Sequence, residues 1–574
     1  MYTIWGETLD PSQVLQGYPR PQMVRAGYVN LNGPWSYAIG RSDAPPDAFD
    51  GQILVPFSPE SPLSGVNRTL LPDEFLWYRR TFTLPEAKPG THTLLHFGAV
   101  DQCATVFVNG VCTGSHTGGY LPFAIDLTEA GALAPAGVEN TLVVRVTDAT
   151  DAGSFSRGKQ KTARGGIWYT PQSGIWQTVW LEQVPNVYVS ALKITPLYDQ
   201  SAVEITVGSD SAHVCAVSLC GADYPAVANA PIRIPMPDFI PWSPENPHLY
   251  PFSVTMGDDR VESYFAMRKF SVGKDEAGVV RLLLNNRPYF HNGVLDQGYW
   301  PDGLYTAPSD EAMIFDIRLM KDMGFNMLRK HIKVEPLRWY YHCDRLGMLV
   351  WQDMVNGGGA YRPWTVSAPL ILGNSHRDSD YVYFARADAD GRAQYLAELA
   401  DMVRLLYNAP CVAMWVPFNE GWGQFDAAQT AALVKSIDGT RTVDHASGWH
   451  DQGAGDVQSL HVYFRPYRFR PDRLGRPVAL TEFGGYGHRV AGHCFSKRTF
   501  GYRRFGSPDA LLAAYCRLYE SEILPARQKG LAAAVYTQLS DVEEETNGFV
   551  TYDRKVVKLP AEAVRRVNGL LCSR

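Results

Sequence analysis

Apolar and polar residues alternate in short runs through the first third of the chain, and a period of two predicts β-strands. Trp77 to Phe82, Thr93 to Phe97, Ala104 to Val108 and Thr141 to Val146 all read this way. Asn109-Gly110 falls between two such runs, the residue pair that a two-residue hairpin favours. No long segment of helical period intervenes, so residues 1–185 are expected to fold as a jelly-roll β-sandwich. The alternation continues over 186–275 in a smaller unit. Strands are expected at Tyr188 to Thr195, Ala202 to Val207, His213 to Leu219, Phe252 to Met256 and Glu262 to Phe270. Pro241 to Tyr250 is a proline-stiffened connection, and the unit reads as an immunoglobulin-like β-sandwich.

From about residue 276 the pattern changes to helices alternating with short, wholly apolar strands. Ser309 is placed to cap a helix with Asp310 and Glu311 in its first turn and Met313, Ile317 and Met320 on one face. A second helix has Pro336 near its start and Gly347 beyond its end. Eight strands are expected: around His291, then Phe325–Arg329, Met348–Gln352, Val412–Phe418, Thr442–His445, Val457–Leu460, Val478–Leu480 and Ala533–Gln538. Eight parallel strands over 276–574 predict a C-terminal (β/α)8 TIM barrel, whose chemistry sits at the strand C-terminal ends. The whole chain is thus expected to be multidomain, β followed by α/β.

Composition narrows the function. At 574 residues with 45% hydrophobic and 20% charged residues, the chain can bury several cores unaided. Its net charge of −6, without a long basic run, argues against nucleic acid. Nine scattered cysteines without a CxxC pair point to reduced thiols. No signal-like leader and no run of ~18 apolar residues is present, so no membrane partner and a cytoplasmic location are expected.

Polar residues that end buried barrel strands carry the chemistry. Strand four ends Phe418-Asn419-Glu420 and strand seven ends Thr481-Glu482-Phe483, which places two carboxylates at one mouth. Glycoside hydrolysis needs such a pair, one carboxyl kept protonated and the other ionised. A lone glutamate after a strand is as often a surface residue; two at the catalytic face make that reading weak. Arg329 and His331 follow strand two, Asp353 strand three, His445 and Trp449 strand five, His461 and Tyr463 strand six, and Gln538 and Asp541 strand eight. Arg329 is suited to hold a carboxylate ionised, Tyr463 to donate its hydroxyl, and Trp449 to stack on a sugar ring. Asp353 reads as a rim residue and His445 as structural. His331, His445 and His461 lack metal-ligand spacing, no GxSxG elbow exists, and Gly357-Gly358-Gly359 does not fit a phosphate loop.

These motifs, with Leu31-Asn-Gly-Pro-Trp35, Trp77-Tyr-Arg-Arg80, Ser173-Gly-Ile-Trp-Gln177 and Gly324-Phe-Asn-Met-Leu-Arg329, resemble glycoside hydrolase family 2 over the whole chain. The resemblance implies that Glu420 is the acid/base, Asn419 the holder of the sugar 2-hydroxyl, Glu482 the nucleophile and Tyr463 its neighbour. Substrate contacts are expected as well for Arg329, His331, His461, Trp449, Glu545 and, from the jelly roll, Trp168. The family's β-glucuronidases carry an Asn-x-Lys pair that grips the substrate carboxylate, and the matching stretch here is Glu545-Thr-Asn-Gly548. A neutral sugar is therefore expected, with a β-galactoside as the default for a retaining exo-glycosidase. The alternatives are furanosides (β-galactofuranosides or α-L-arabinofuranosides) with the same mechanism, and a carbohydrate-binding protein with an inactive barrel. The expected partner is a small saccharide or glycoside. No cofactor and no metal site are expected, and homo-oligomerisation stays open. Residues 356–390, after strand three, are expected to form a lid or a rim.

Overall fold

The computed structural model describes residues 1–572 except 87 and 374. Two antiparallel sheets form the first unit. One runs in the order Gly51–Val55, Gly33–Gly40, Phe75–Thr83, Glu139–Thr147, Cys103–Val108 and Val111–Thr117. The other runs Tyr28–Asn30, Val179–Pro185, Thr91–Phe97 and Phe123–Asp126. Glu139–Thr147 buries every second residue, and Leu142, Val144 and Val146 meet Leu95, Phe97 and Leu181 in one core. Asn109 and Gly110, with φ of 49° and 80°, make the expected hairpin turn between Cys103–Val108 and Val111–Thr117.

The second sandwich packs a three-stranded sheet against a four-stranded one around Val203, Ile205, Val217, Val254 and Val261. Two of its strands, Ala222–Val227 and Pro231–Pro235, have no counterpart in the sequence reading because little of either is buried. The strand expected over Glu262 to Phe270 is two elements. Asp259–Phe265 closes the sandwich, and Phe270–Lys274 opens a small sheet with Val280–Leu284 and Arg287–Pro288.

The barrel contains all eight expected strands: His291–Asp296, Met327–Lys330, Leu349–Asp353, Val412–Val416, Thr442–Val443, Gln458–Val462, Val478–Gly484 and Leu531–Thr537. Their spatial order is five-four-three-two-one-eight-seven-six, with every neighbouring pair parallel. No ladder joins strands five and six among the described residues; Asp456 spans that seam. Its backbone N–H donates to the Val443 carbonyl at 2.8 Å, and its carboxylate accepts from Val443 N–H at 2.7 Å. Helices follow strands one to four, seven and eight, whereas the described residues after five and six reach the next strand without one, a departure from the regular (β/α)8 expectation. Ser309 caps Asp310–Asp322 by accepting from Ala312 N–H, and Leu337–Leu346 ends at Gly347, both as expected. Residues 356–390 hold two short helices, Pro363–Val366 and Ala368–Leu372. No described helix is long and apolar enough to cross a membrane.

Candidate active site

Strand four delivers Glu420 through a tight turn. Its N–H donates to the Ser447 carbonyl at 2.9 Å, and its φ of 51° lies in the left-handed region. That conformation costs a non-glycine residue ~1–2 kcal/mol, which surrounding contacts must offset. One of them is Trp449, whose Nε1 donates to the Glu420 carbonyl at 2.9 Å. Glu482 sits inside strand seven, where every residue is buried. Its side chain is 6% exposed and that of Glu420 12%, so both carboxyls lie in a largely water-free mouth.

His461 stands between them. Its Nδ1 is 2.8 Å from Glu420 Oε1 and 3.6 Å from Glu482 Oε2, and these three ligand atoms all lie within 4.8 Å of one another. Glu482 Oε2 also accepts from the Tyr463 hydroxyl at 2.5 Å, and Thr537 Oγ1 lies 2.9 Å behind that hydroxyl. Tyr463 is fixed in turn by Tyr502, stacked 3.6 Å away between ring centres.

Arg329 ties the floor together. Nη1 donates to Glu482 Oε1 at 3.2 Å and to the Thr481 carbonyl at 3.1 Å, Nη2 donates to Asn419 Oδ1 at 2.8 Å, and Nε donates to Asp353 Oδ1 at 3.0 Å. Because Asn419 Oδ1 is taken, its amide nitrogen is left buried and unpartnered, facing the role expected of it. Asp353 Oδ2 pairs with His331 Nδ1 at 2.7 Å. Asp353 is 1% exposed, so it is no rim residue; it lies beneath the mouth and orients Arg329 and His331.

The environments push the two glutamates apart. Burial raises the pKa of Glu420, the Glu482 charge adds to it, and His461 opposes both. Burial would raise Glu482 as well, but His461, Arg329, the Tyr463 hydroxyl and Lys159 outweigh it and hold the carboxyl below its ordinary range. One acid kept protonated beside one kept ionised is what acid-assisted substitution at carbon requires. Asp353 is pushed up to about 7 by burial, against the pull of Arg329.

The first domain completes the mouth. Trp168 lies 5.0 Å from Trp422 and 6.0 Å from Tyr361 between ring centres, so the jelly-roll tryptophan does reach the barrel. Glu545, expected to face sugar hydroxyls, is instead engaged by protein: it accepts from Tyr169 OH, and its Oε2 from Asn547 Nδ2 at 3.2 Å and Gln538 Nε2 at 3.3 Å. Sequence reasoning missed Lys159, Tyr169, Trp422 and Tyr502, which sit on loops without periodicity. The only hint was their crowding with other aromatic and basic residues. His445 accepts from Gln452 N–H at 3.1 Å, a structural position as expected. By donor type alone, Glu420-His461-Glu482 and the more exposed His92-Asp126-Glu129 could each hold a cation.

Comparison with known proteins agrees with this architecture. Residues 65–185 match the description "Glycosyl hydrolases family 2, sugar binding domain", and residues 279–475 match "Glycosyl hydrolases family 2, TIM barrel domain". A putative β-glucuronidase of Formosa agariphila is 28% identical over 460 residues, covering 72% of this chain and 50% of that protein, so the match spans half of the relative's length. The β-glucuronidase of Canis lupus familiaris is 24% identical over 561 residues, covering 81% of this chain and 79% of that one. The solved β-D-glucuronidase of Dictyoglomus thermophilum shares the fold with a TM-score of 0.72 at 16% identity, covering 97% of this chain and 99% of that one.

Proposed function

The chain belongs to glycoside hydrolase family 2, and from that premise we propose that it is a retaining, exo-acting β-glycosidase. The observation that carries the reading is the carboxyl pair, with ligand oxygens within 4.8 Å of each other and opposite shifts in acidity. Retaining glycosidases hold their carboxyls about 5–5.5 Å apart, whereas inverting ones need ~6.5–9.5 Å to admit water.

In this reading the ionised Glu482 attacks the anomeric carbon while Glu420 gives its proton to the departing oxygen. The bond to the aglycone breaks as the bond to Glu482 forms. Glu420, now a carboxylate, takes a proton from water, which attacks the same carbon and releases Glu482 with net retention. Forming the ester removes the Glu482 charge, so the Glu420 carboxyl becomes easier to ionise when it must act as base. Asn419 Nδ2 is available to the sugar 2-hydroxyl. Trp168, packed beside Trp422 and Tyr361 at the mouth, is placed to bound a terminal sugar and supports an exo mode. Proton NMR of the first-formed product tests the mechanism: the β-anomer is expected, and initial appearance of the α-anomer would sink it.

Two sugar classes compete for this pocket. The names of the relatives support a β-hexuronide, against the neutral β-galactoside expected from sequence. Asn547, standing where a lysine was sought, and the acidic Glu545 beside it support the neutral sugar or a furanoside.

A further inference from the structure

Lys159 is 6% exposed, and its ammonium has no hydrogen-bond acceptor or ion-pair partner among the described residues. It lies 5.6 Å from the ring centres of both Tyr169 and Trp422, and its charge acts on Glu420, Glu482 and Glu545. Two further donors at this mouth, Trp422 Nε1 and Asn419 Nδ2, are also buried and unpartnered. Buried donors are normally satisfied, so these two, beside an ammonium without a hydrogen-bonded partner, point to an acceptor-rich ligand.

The loop that carries Lys159 is held at both ends. Arg157 and Gly158 donate their N–H groups to the Asn356 carbonyl at 2.9 and 3.0 Å. Gln160 Nε2 donates to Asp101 at 2.9 Å and to Tyr120 OH at 2.8 Å, and Gln160 Oε1 accepts from Gln172 N–H at 2.7 Å. The ammonium is therefore placed before substrate arrives, with little side-chain freedom left to lose.

The catalytic cycle sharpens the requirement. Glu420 enters protonated, and Glu482 loses its charge when the ester forms. Glu420 becomes a carboxylate in that same step, so the pair carries one negative charge throughout, and on Glu482 that charge is already met by Arg329. A sugar carboxylate would give Lys159 a counter-charge of its own. The apparent obstacle, Glu545, is spent on Tyr169, Gln538 and Asn547, and burial raises its pKa.

We propose that Lys159, brought from the first domain to the barrel mouth, is the specificity-determining anchor for the carboxylate of a terminal β-hexuronic acid. The proposal rests on the retaining-glycosidase reading and chooses between its two sugar classes. It places the anion anchor on the opposite domain from the position beside Glu545 where sequence comparison looks for it.

The test compares kcat/KM on 4-nitrophenyl β-D-glucuronide and β-D-galacturonide with that on the matching glucoside, galactoside and their 6-sulfates. For the full-length wild type, a hexuronide is expected to exceed its neutral counterpart by ~10²-fold or more, because a site built to pair a charged group strongly rejects the analogue lacking it. Lys159→Met is expected to collapse that ratio by about 10²-fold, and Lys159→Arg to retain most of it, each with a wild-type unfolding curve. A wild type that turns over no hexuronide, or prefers a neutral or sulfated sugar, overturns the proposal. A ratio unmoved in Lys159→Met overturns it too. Product anomer analysis on whichever sugar is cleaved reports separately on retention, so failure of the mechanism is distinguishable from failure of the anchor.

Discussion

Glu420 and Glu482 share one histidine, yet their surroundings move their acidities in opposite directions, and this sets the expected pH profile. The proposed mechanism needs Glu482 ionised and Glu420 protonated. The acid limb of kcat/KM therefore belongs to Glu482 and lies below the ordinary carboxyl range, while the basic limb belongs to Glu420 and lies above it. Glu420→Gln should abolish the basic limb and cut the rate by ~10²–10⁴-fold on poor leaving groups, with much less loss on dinitrophenyl glycosides. With azide, Glu420→Ala should yield the β-glycosyl azide and Glu482→Ala the α-glycosyl azide; the reverse pairing would exchange the two roles. Arg329→Met removes a cation from Glu482, so the Glu482 pKa rises and the acid limb should move to higher pH. That variant also frees Asp353 and Asn419 from their shared partner, so a further fall in kcat is expected. An acid limb that does not move would show that Arg329 fixes geometry alone.

Among the elements, the seam between strands five and six is where the barrel is most dependent on side chains. Asp456 accepts from Val443 N–H and from Lys435 Nζ, both at 2.7 Å, where other strand pairs use ladders of backbone bonds. Asp456→Ala is expected to cost ~1–3 kcal/mol, since it leaves a buried strand-end donor unsatisfied. Urea unfolding monitored by tryptophan fluorescence measures this; an unchanged midpoint would mean that the Asp456 backbone bond alone holds the seam. The same element explains what was legible beforehand. Eight apolar runs announced eight strands because buried parallel strands carry that pattern whatever covers them. The missing helices after strands five and six were not visible, because loops and irregular chain have no period. Glu420 and Glu482 were legible because a polar residue at the end of a buried run is anomalous. Asp353 met the same criterion, but only the structure separates a rim from a floor. Lys159 was illegible, since it stands in a loop about 260 residues before Glu420 and nothing local marks it.

For the molecule as a whole, the proposed pocket is bordered by Trp168 of the first unit as well as by the barrel, so the contact between the two should matter to catalysis. Gly158 sits in close contact with the barrel. It has a φ of 64°, and a Cβ there would lie 2.8 Å from the Tyr305 hydroxyl and 3.2 Å from the Ile332 carbonyl. The tyrosine is buried among Tyr120, Trp176 and Tyr299, and the carbonyl is backbone, so neither can give way cheaply. Gly158→Ala should instead displace the loop, and Lys159 and Trp168 with it, while the two sandwiches and the barrel keep their own cores. The expected result is a loss of ~10–10²-fold in kcat/KM, since small misplacements of positioning groups cost that much, with only a modest fall in thermal midpoint. Azide partitioning in a Gly158→Ala, Glu420→Ala double variant should still give the β-glycosyl azide, because Glu482 and its Arg329 and Tyr463 partners all belong to the barrel. If Gly158→Ala retains wild-type kcat/KM, the first domain is a passive neighbour and the pocket is the work of the barrel alone.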